Sequence, residues 1–238
     1  MRRPPASAVV LLLVAAGLAR AGDLTIRQRS TAGSTAAREE MQYVHEDLLV
    51  IDGPATRTIV DVHARILRVA DKEKQTWFEM TFDDLHRQAQ AVERRARAMP
   101  PEARKMLDEM LGSGESVTLV PTGRRETIAG YPATEHEVRG GPFHGSIWTT
   151  DAIAVPAGVQ RWRELSAAAT AHAGPGRPLT QALARVTGLP LRSSMTAAVA
   201  GATFATSTEV LEIRTTPVPR DVLQVPPGFA RVAAPAVE

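Results

Sequence analysis

The chain contains no cysteine. Disulfides, thiol catalysis, thiolate zinc sites and cysteine-ligated iron–sulfur clusters are therefore excluded, and stability must come from a buried core. Aromatic residues are sparse, at 4% of 238 residues, and no basic stripe is interleaved with them. That excludes the electrostatic footprint of a nucleic-acid binder. G-x-S-x-G, H-E-x-x-H, H-x-H and glycine-rich phosphate loops are all missing, so no local signature points to a serine hydrolase, a zinc peptidase or a nucleotide site. Beyond the N-terminus no apolar run reaches the ~20 residues of a membrane helix.

The one long apolar run that does occur, Ala6 to Leu18, follows Met1-Arg2-Arg3 and precedes Ala19-Arg20-Ala21. A charged start, a short apolar centre and an A-x-A end are the three parts of a secretory signal. We expect cleavage before Gly22 by the general secretion route, leaving a periplasmic or secreted protein with no transmembrane anchor. Residues 1–21 hold three of the 28 basic residues and no acid, so 25 basic residues remain against 26 acidic ones. The mature chain is nearly neutral, which again argues against nucleic acid as a partner.

One domain over residues 22–232 and a frayed tail over 233–238 are expected. Leu24–Thr35 and Met41–Ile51 read as strands. Thr58, Val60, Val62, Ala64 and Ile66 alternate with polar residues and read as one half-buried strand. Asp71–Lys74 is a polar turn. Thr76, Phe78, Met80 and Phe82 then alternate with Gln75, Trp77, Glu79 and Thr81, which predicts a β-meander. From Asp83 the period changes: Leu85, Ala89, Val92, Ala96 and Met99 mark an amphipathic helix capped by Asp83 or Asp84 and broken at Pro100-Pro101. A second short helix is expected from Glu102 to Leu111. Further strands are predicted at Val117–Val120, Glu126–Ile128, Thr134–Val138, Ser146–Thr149, Leu189–Met195, Ala202–Leu211 and Leu211–Thr215. Helices are predicted at Ala157–His172 and Leu179–Val186. The expected class is α+β: a strongly curved antiparallel sheet, a half-open barrel, with helices covering its concave face.

Several segments in this order carry a resemblance. They are Glu126-Thr127-Ile128-Ala129-Gly130-Tyr131-Pro132-Ala133 with Glu135–Val138, Ile147-Trp148-Thr149-Thr150-Asp151, Gly188-Leu189-Pro190-Leu191, and Val225-Pro226-Pro227-Gly228-Phe229. Over residues 24–232 the chain resembles a periplasmic domain family of unknown function with the LolA/LolB-type lipoprotein-carrier fold. The resemblance implies a half-open barrel lidded by helices, in a group whose members hold lipoprotein acyl chains or sense envelope stress. Each motif is also a good turn or terminator, and a shared fold does not transfer a ligand.

Met80, Met99, Met106 and Met110 are four of the seven methionines. Methionine is the adaptable apolar side chain. With Phe78, Phe82, Leu85 and Val92 they form the candidate lining of a pliable acyl pocket, the bland alternative being an ordinary core. Six histidines are scattered without ligand spacing. On a strand His136 points away from Glu135 and Glu137, so these three do not share a metal. No cofactor, metal or catalytic residue is assigned. The reading is a non-enzymatic protein binding an acyl chain or lipoprotein. The alternatives are an envelope regulatory or scaffold module that contacts a protein partner through a sheet face or edge, and a hydrolase with an unrecognised site. Trp77, opposite Phe78 and Met80, marks a candidate contact surface.

Overall fold

The computed structural model describes residues 22–33, 35–103, 116–170, 181–183, 185–199 and 202–235. The expected signal segment, the remainder of the second helix from residue 104, and residues 171–180 lie outside them.

Period-two segments form two antiparallel runs, joined by short turns except between β9 and β10, where residues 151–188 intervene. The first is β1 (Leu24–Ala32), β2 (Arg38–His45), β3 (Leu48–Asp52), β4 (Thr56–Asp61), β5 (Ile66–Asp71) and β6 (Thr76–Thr81). The second is β7 (Thr118–Ile128), β8 (Tyr131–Gly140), β9 (Phe143–Thr150), β10 (Leu189–Val199) and β11 (Ala202–Arg214). Pairing of β1 with β11, from Thr25 opposite Arg214 to Ala32 opposite Thr206, joins the two runs. A two-residue parallel strand, β12 (Ala230–Arg231), borders β6. The result is one curved, open, 12-stranded sheet in the order β12-β6-β5-β4-β3-β2-β1-β11-β10-β9-β8-β7, antiparallel except at β12.

Four expectations about strand limits are corrected. Met41–Ile51 is not one strand: β2 stops at His45, the chain turns at Glu46-Asp47 with Glu46 at φ 51°, and Leu48 opens β3. Thr58 to Ile66 is not one strand: β4 stops at Asp61, residues 62–65 turn with Arg65 at φ 57°, and Ile66 opens β5. Val117–Val120 and Glu126–Ile128 are parts of a single β7 whose register against β8 slips between Pro121 and Arg125. Proline has no N–H for the ladder, which accounts for the irregularity there. Ala202–Leu211 and Leu211–Thr215 are likewise one strand, β11, with a bulge opposite Arg27/Gln28. The turn between β7 and β8 is Ala129-Gly130, both at positive φ (50° and 85°). That is the two-residue geometry a twisted hairpin favours, with glycine at the second position.

Among the described residues two long helices accompany the sheet: α1 (Phe82–Ala98) follows β6, and α2 (Ala157–Thr170) lies between β9 and β10, with shorter helical stretches at 101–103, 181–183 and Arg220–Leu223. α1 begins with a reciprocal capping box in place of a simple aspartate cap. Asp84 Oδ2 accepts from the Thr81 N–H at 2.9 Å, while the Asp84 N–H donates to Thr81 Oγ1 at 3.0 Å. Because β6 and β7 are ten inter-strand steps apart in the sheet order, the connection containing α1 must travel ~48 Å if the sheet were flat. α1, at 17 residues, is ~25 Å long.

The larger core joins strand ends to both helices. Leu24, Val44, Leu49, Val60 and Leu67 lie on one face, as the register Leu24–Val44–Leu49–Val60–Leu67 across β1 to β5 requires, and Phe82, Leu85, Val159, Trp162 and Leu165 pack with them. Phe82 and Trp162 stack tilted, with centroids 5.8 Å apart. On the opposite face Val50 and Ile59 are covered by Val218 and Leu223 of the C-terminal strap. A third cluster holds Val117, Val138, Ile147 and Ala182. Adjacent residues Ile147 and Trp148 enter different clusters, as alternation along β9 demands.

α2 is brought against the β2–β3 turn by a glycine. A Cβ on Gly158 would lie 2.3 Å from the Glu46 carbonyl oxygen, and backbone has nowhere to yield. Arg161 then pairs with Asp47 at 3.2 Å. Gly158→Ala should therefore lower stability by ~1–3 kcal/mol despite alanine's better helix propensity. Urea unfolding checks this, and a neutral or stabilising result would mean that α2 does not sit against this turn.

Candidate functional site

The strand register places Phe78 opposite Val69 and Met80 opposite Leu67, so these four apolar side chains share the face that carries the helix-packed core. Met80 is buried, whereas Val69 and Phe78 are half-buried. Phe82 and Leu85, at the start of α1, join the main core, and Phe82 stacks on Trp162. The Arg65 guanidinium lies 6.0 Å from the Phe82 ring and pairs with Asp83 at 3.1 Å. Met99, just past the end of α1, is 41% exposed. Of the eight expected lining residues, then, Phe82 and Leu85 meet in the core, and Phe78 and Met80 line the same face. Met99 stands at the solvent end. The side chain of Val92, and Met106 and Met110, lie outside what is described.

Trp77 faces the other way, as the alternation requires, but is half-buried. The Arg231 guanidinium sits 5.1 Å from its ring and also pairs with Glu79 at 3.2 Å. The Ala230 N–H donates to the Gln75 carbonyl at 2.9 Å, and the Val232 N–H to the Trp77 carbonyl at 2.8 Å. The strap thus runs across this face from Val218 to the β6 edge.

Polar side chains on the sheet are paired structurally. Asp52 accepts from Arg57 at 2.9 Å and lies 2.7 Å from Lys72 Nζ. Burial opposes its ionisation, but the Arg57 and Lys72 hydrogen bonds and charges outweigh it and hold the carboxyl below the ordinary aspartate value. Arg57 also donates to the Gln224 carbonyl at 3.3 Å, which ties the strap to β4. Glu135 is buried and bonded to Thr122 at 2.8 Å, His136 approaches Thr149 at 3.3 Å, and Glu137 pairs with Arg139. The three neighbours Glu135, His136 and Glu137 therefore have separate partners. Among the described residues no group of three potential ligands could hold a metal.

Sequence reading missed the link that anchors the strap. Asp23 Oδ1 lies 2.7 Å from His45 Nδ1, and Asp23 Oδ2 accepts from the Val218 N–H at 2.7 Å. Asp23 and Val218 are 195 positions apart, and no local spacing announces such a contact. The available signal is that Asp23 immediately precedes a strand whose register sets Leu24 beside Val44, next to His45.

No family model matches the chain, and no curated protein matches it. Solved structures similar to it include that of PNGF-II, at 9% identity and a TM-score of 0.41, over 90% of this chain and 31% of that one. MucB is similar at 14% identity and a TM-score of 0.38, over 90% of this chain and 60% of that one. A LolA superfamily protein from Nitrosomonas europaea is similar at 9% identity and a TM-score of 0.30, over 85% and 89%. This chain spans about a third of PNGF-II. At this identity and superposition the likenesses assign neither family nor function. No helix among the described residues is long and apolar enough to cross a membrane.

Burial opposes the ionisation of Asp23, yet its bonds to the Val218 N–H and His45, with the His45 charge, hold its carboxyl below the ordinary aspartate value. A carboxyl depressed in the folded state stabilises the fold above the unfolded-state value of about 3.9. That contribution disappears as pH falls through the folded value. Asp23→Asn should cost ~1–2 kcal/mol at neutral pH, and the gap to the wild type should narrow below pH ~4. Denaturant unfolding at both pH values measures it; a gap independent of pH would contradict the clasp.

Proposed function

We propose that the mature chain is a non-enzymatic periplasmic or secreted protein, released by removal of residues 1–21, that binds an apolar ligand between the curved sheet and its helices. The ligand is an acyl chain, free or carried by a lipoprotein. One observation carries this reading: the helix-bearing face is sealed at the Leu24–Val44–Leu49–Val60 end, but its apolar surface continues to Val69 and Phe78, which remain half-buried. Apolar surface of this kind, next to a helix and continuous with a core, is the lining of a small-molecule site. Phe78, Met80, Phe82 and Leu85 form its described wall. The proposed lining also takes in Val92, Met99, Met106 and Met110, and helices covering the concave face are part of this proposal.

A second reading, an envelope module that binds a protein, is favoured by Phe204. It is 56% exposed near the β10–β11 turn, opposite Ala197, which in turn pairs with Phe143. The apolar row Phe143–Ala197–Phe204, which ends in solvent at Phe204, supports a contact surface there. It lies on strands distant from Phe78 in the sheet order, so the two readings are separable by mutation.

Solvent extraction of the purified mature protein should yield an acyl chain, and a neutral hydrophobic probe such as N-phenylnaphthylamine should gain fluorescence saturably. Phe78→Asp should weaken probe binding at least about tenfold with a change in stability below ~1 kcal/mol, as suits a half-buried position. Phe82→Ala, at a buried position, should instead cost ~3–5 kcal/mol of stability. Absence of both extractable chain and probe response would contradict the acyl-chain reading. Loss of partner capture on Phe204→Ser, with a normal probe response absent, would favour the second.

A further inference from the structure

Charge is distributed unevenly between the two ends of the sheet. Strand direction alternates, so one end collects the β1–β2, β3–β4, β5–β6, β8–β9 and β10–β11 connections, and the other collects the remaining turns and the start of α1. The latter end carries Glu46, Asp47, Arg65, Asp83 and Asp151. At the former, connections 33–37, 53–55 and 141–142 hold only Gly, Ser, Thr, Ala and Pro, and charge returns at Lys72-Glu73-Lys74, five strands from β11. The β10–β11 hairpin is the extreme case. From Ser193 to Thr208 there is no Asp, Glu, Lys, Arg or His, although 23% of the chain is charged.

This uncharged run stands in solvent. Ser194, Ala198, Thr203, Ala205 and Thr206 are exposed, and Phe204 is 56% exposed. β11 also outruns its neighbour. The outermost β1–β11 bond among the described residues is donated by the Gly33 N–H to the Ala205 carbonyl at 2.7 Å. Residues 202–204 lie beyond it, which is ~10 Å of strand. Val199 still pairs with Ala202 there, so part of the backbone polarity is met within the hairpin. A segment with paired backbone and no side-chain charge loses little on leaving water for lipid, where a charged side chain would cost most.

Behind the hairpin stands an exposed cation. Arg38 opens β2 opposite Ser30, which is itself opposite Thr208, so Arg38 lies two strands, ~10 Å, from β11. Among the described residues no carboxylate pairs with it. A cation set back from an uncharged tip suits the phosphates of a lipid surface. A protein contact centred on Phe204 would gather aromatic or arginine anchors round it, whereas its neighbours along the hairpin are Ala, Ser and Thr.

We propose that the β10–β11 end of the sheet docks on the surface of a lipid bilayer, with Phe204 entering the apolar layer and Arg38 meeting head-group phosphates. The inference does not depend on the acyl-chain reading.

Because the chain has no cysteine, single cysteines can carry a nitrobenzoxadiazole dye, at Thr203→Cys beside Phe204 and at Ala64→Cys in the β4–β5 turn of the other end. With phosphatidylcholine vesicles containing phosphatidylglycerol, the dye at 203 should gain fluorescence about twofold or more, and the dye at 64 should not respond. In flotation of the mature protein with the same vesicles, Phe204→Ser and Ala198→Asp should each lower affinity about tenfold or more. Arg38→Gln should lower it about fivefold, and should have no effect on vesicles of phosphatidylcholine alone. Phe78→Asp should float as the wild type does. A wild type that does not float, a response at 64 in place of 203, or hairpin and Arg38 variants that float unchanged overturns the inference and leaves the acyl-chain reading standing. Loss of flotation on Phe78→Asp overturns it too, since vesicle binding would then run through the acyl site. Capture of a protein partner, or a dimer, that is lost on Phe204→Ser without any vesicle binding also overturns it. Urea unfolding accompanies each variant, and the dye pair, which leaves Phe204, Ala198 and Arg38 in place, decides the matter should one of them fail to fold.

Discussion

The connection from β6 to β7 governs this molecule. These strands stand near opposite ends of a 12-stranded sheet, and a sheet of that length curls readily. The connection is pinned at its start by the Thr81–Asp84 capping box and by Phe82 against Trp162. α2 arrives from the other run of strands and reaches the β2–β3 turn, where Gly158 permits backbone contact with Glu46. Two helices from separate insertions thereby meet over the same strand ends, which is why the main core gathers there.

The two faces of the sheet are closed by different physics. On the strap face Val218 and Leu223 cover Val50 and Ile59, and charged groups tie the strap at intervals: Asp23 with the Val218 N–H, Arg57 with Gln224, Arg231 with Glu79 and Trp77. Such bonds fix positions more than they add stability, since partly exposed ion pairs contribute little. On the helix face Phe82, Leu85, Val159 and Trp162 make apolar contacts with the strands, and the Arg161–Asp47 pair fixes α2 at the β2–β3 turn beside them.

Much of the architecture was legible in the residues. The alternation from Thr76 to Thr81 and the four-three spacing from Leu85 to Met99 located β6 and α1 to within a residue or two, because periods of 2.0 and 3.6 are hard to confuse over such lengths. The failure at Thr58–Ile66 has a definite cause. The hairpin loop spans four residues, an even number, so Val62, Ala64 and Ile66 keep the parity of β4 across the turn, and neither Gly, Asn nor Pro marks it. Arg65 takes the left-handed conformation instead. Pairing of β1 with β11 was not legible, since it depends on which edges remain after the local hairpins form. The same holds for Asp23 with Val218. Of the proposed site, the shared face of Phe78 and Met80 followed from alternation alone.

Three tryptophans offer the most direct test of where a chain would lie. Trp162 is in the helix–sheet core beside Phe82, while Trp77 is on the strap face under Arg231. In variants that keep one of them, with the other and Trp148 changed to Phe, a fatty acid brominated along its chain should quench Trp162 fluorescence saturably and leave Trp77 unaffected, because bromine quenches at close range. Quenching of Trp77 alone, or of neither, would contradict the claim that the space between helices and sheet holds an apolar chain.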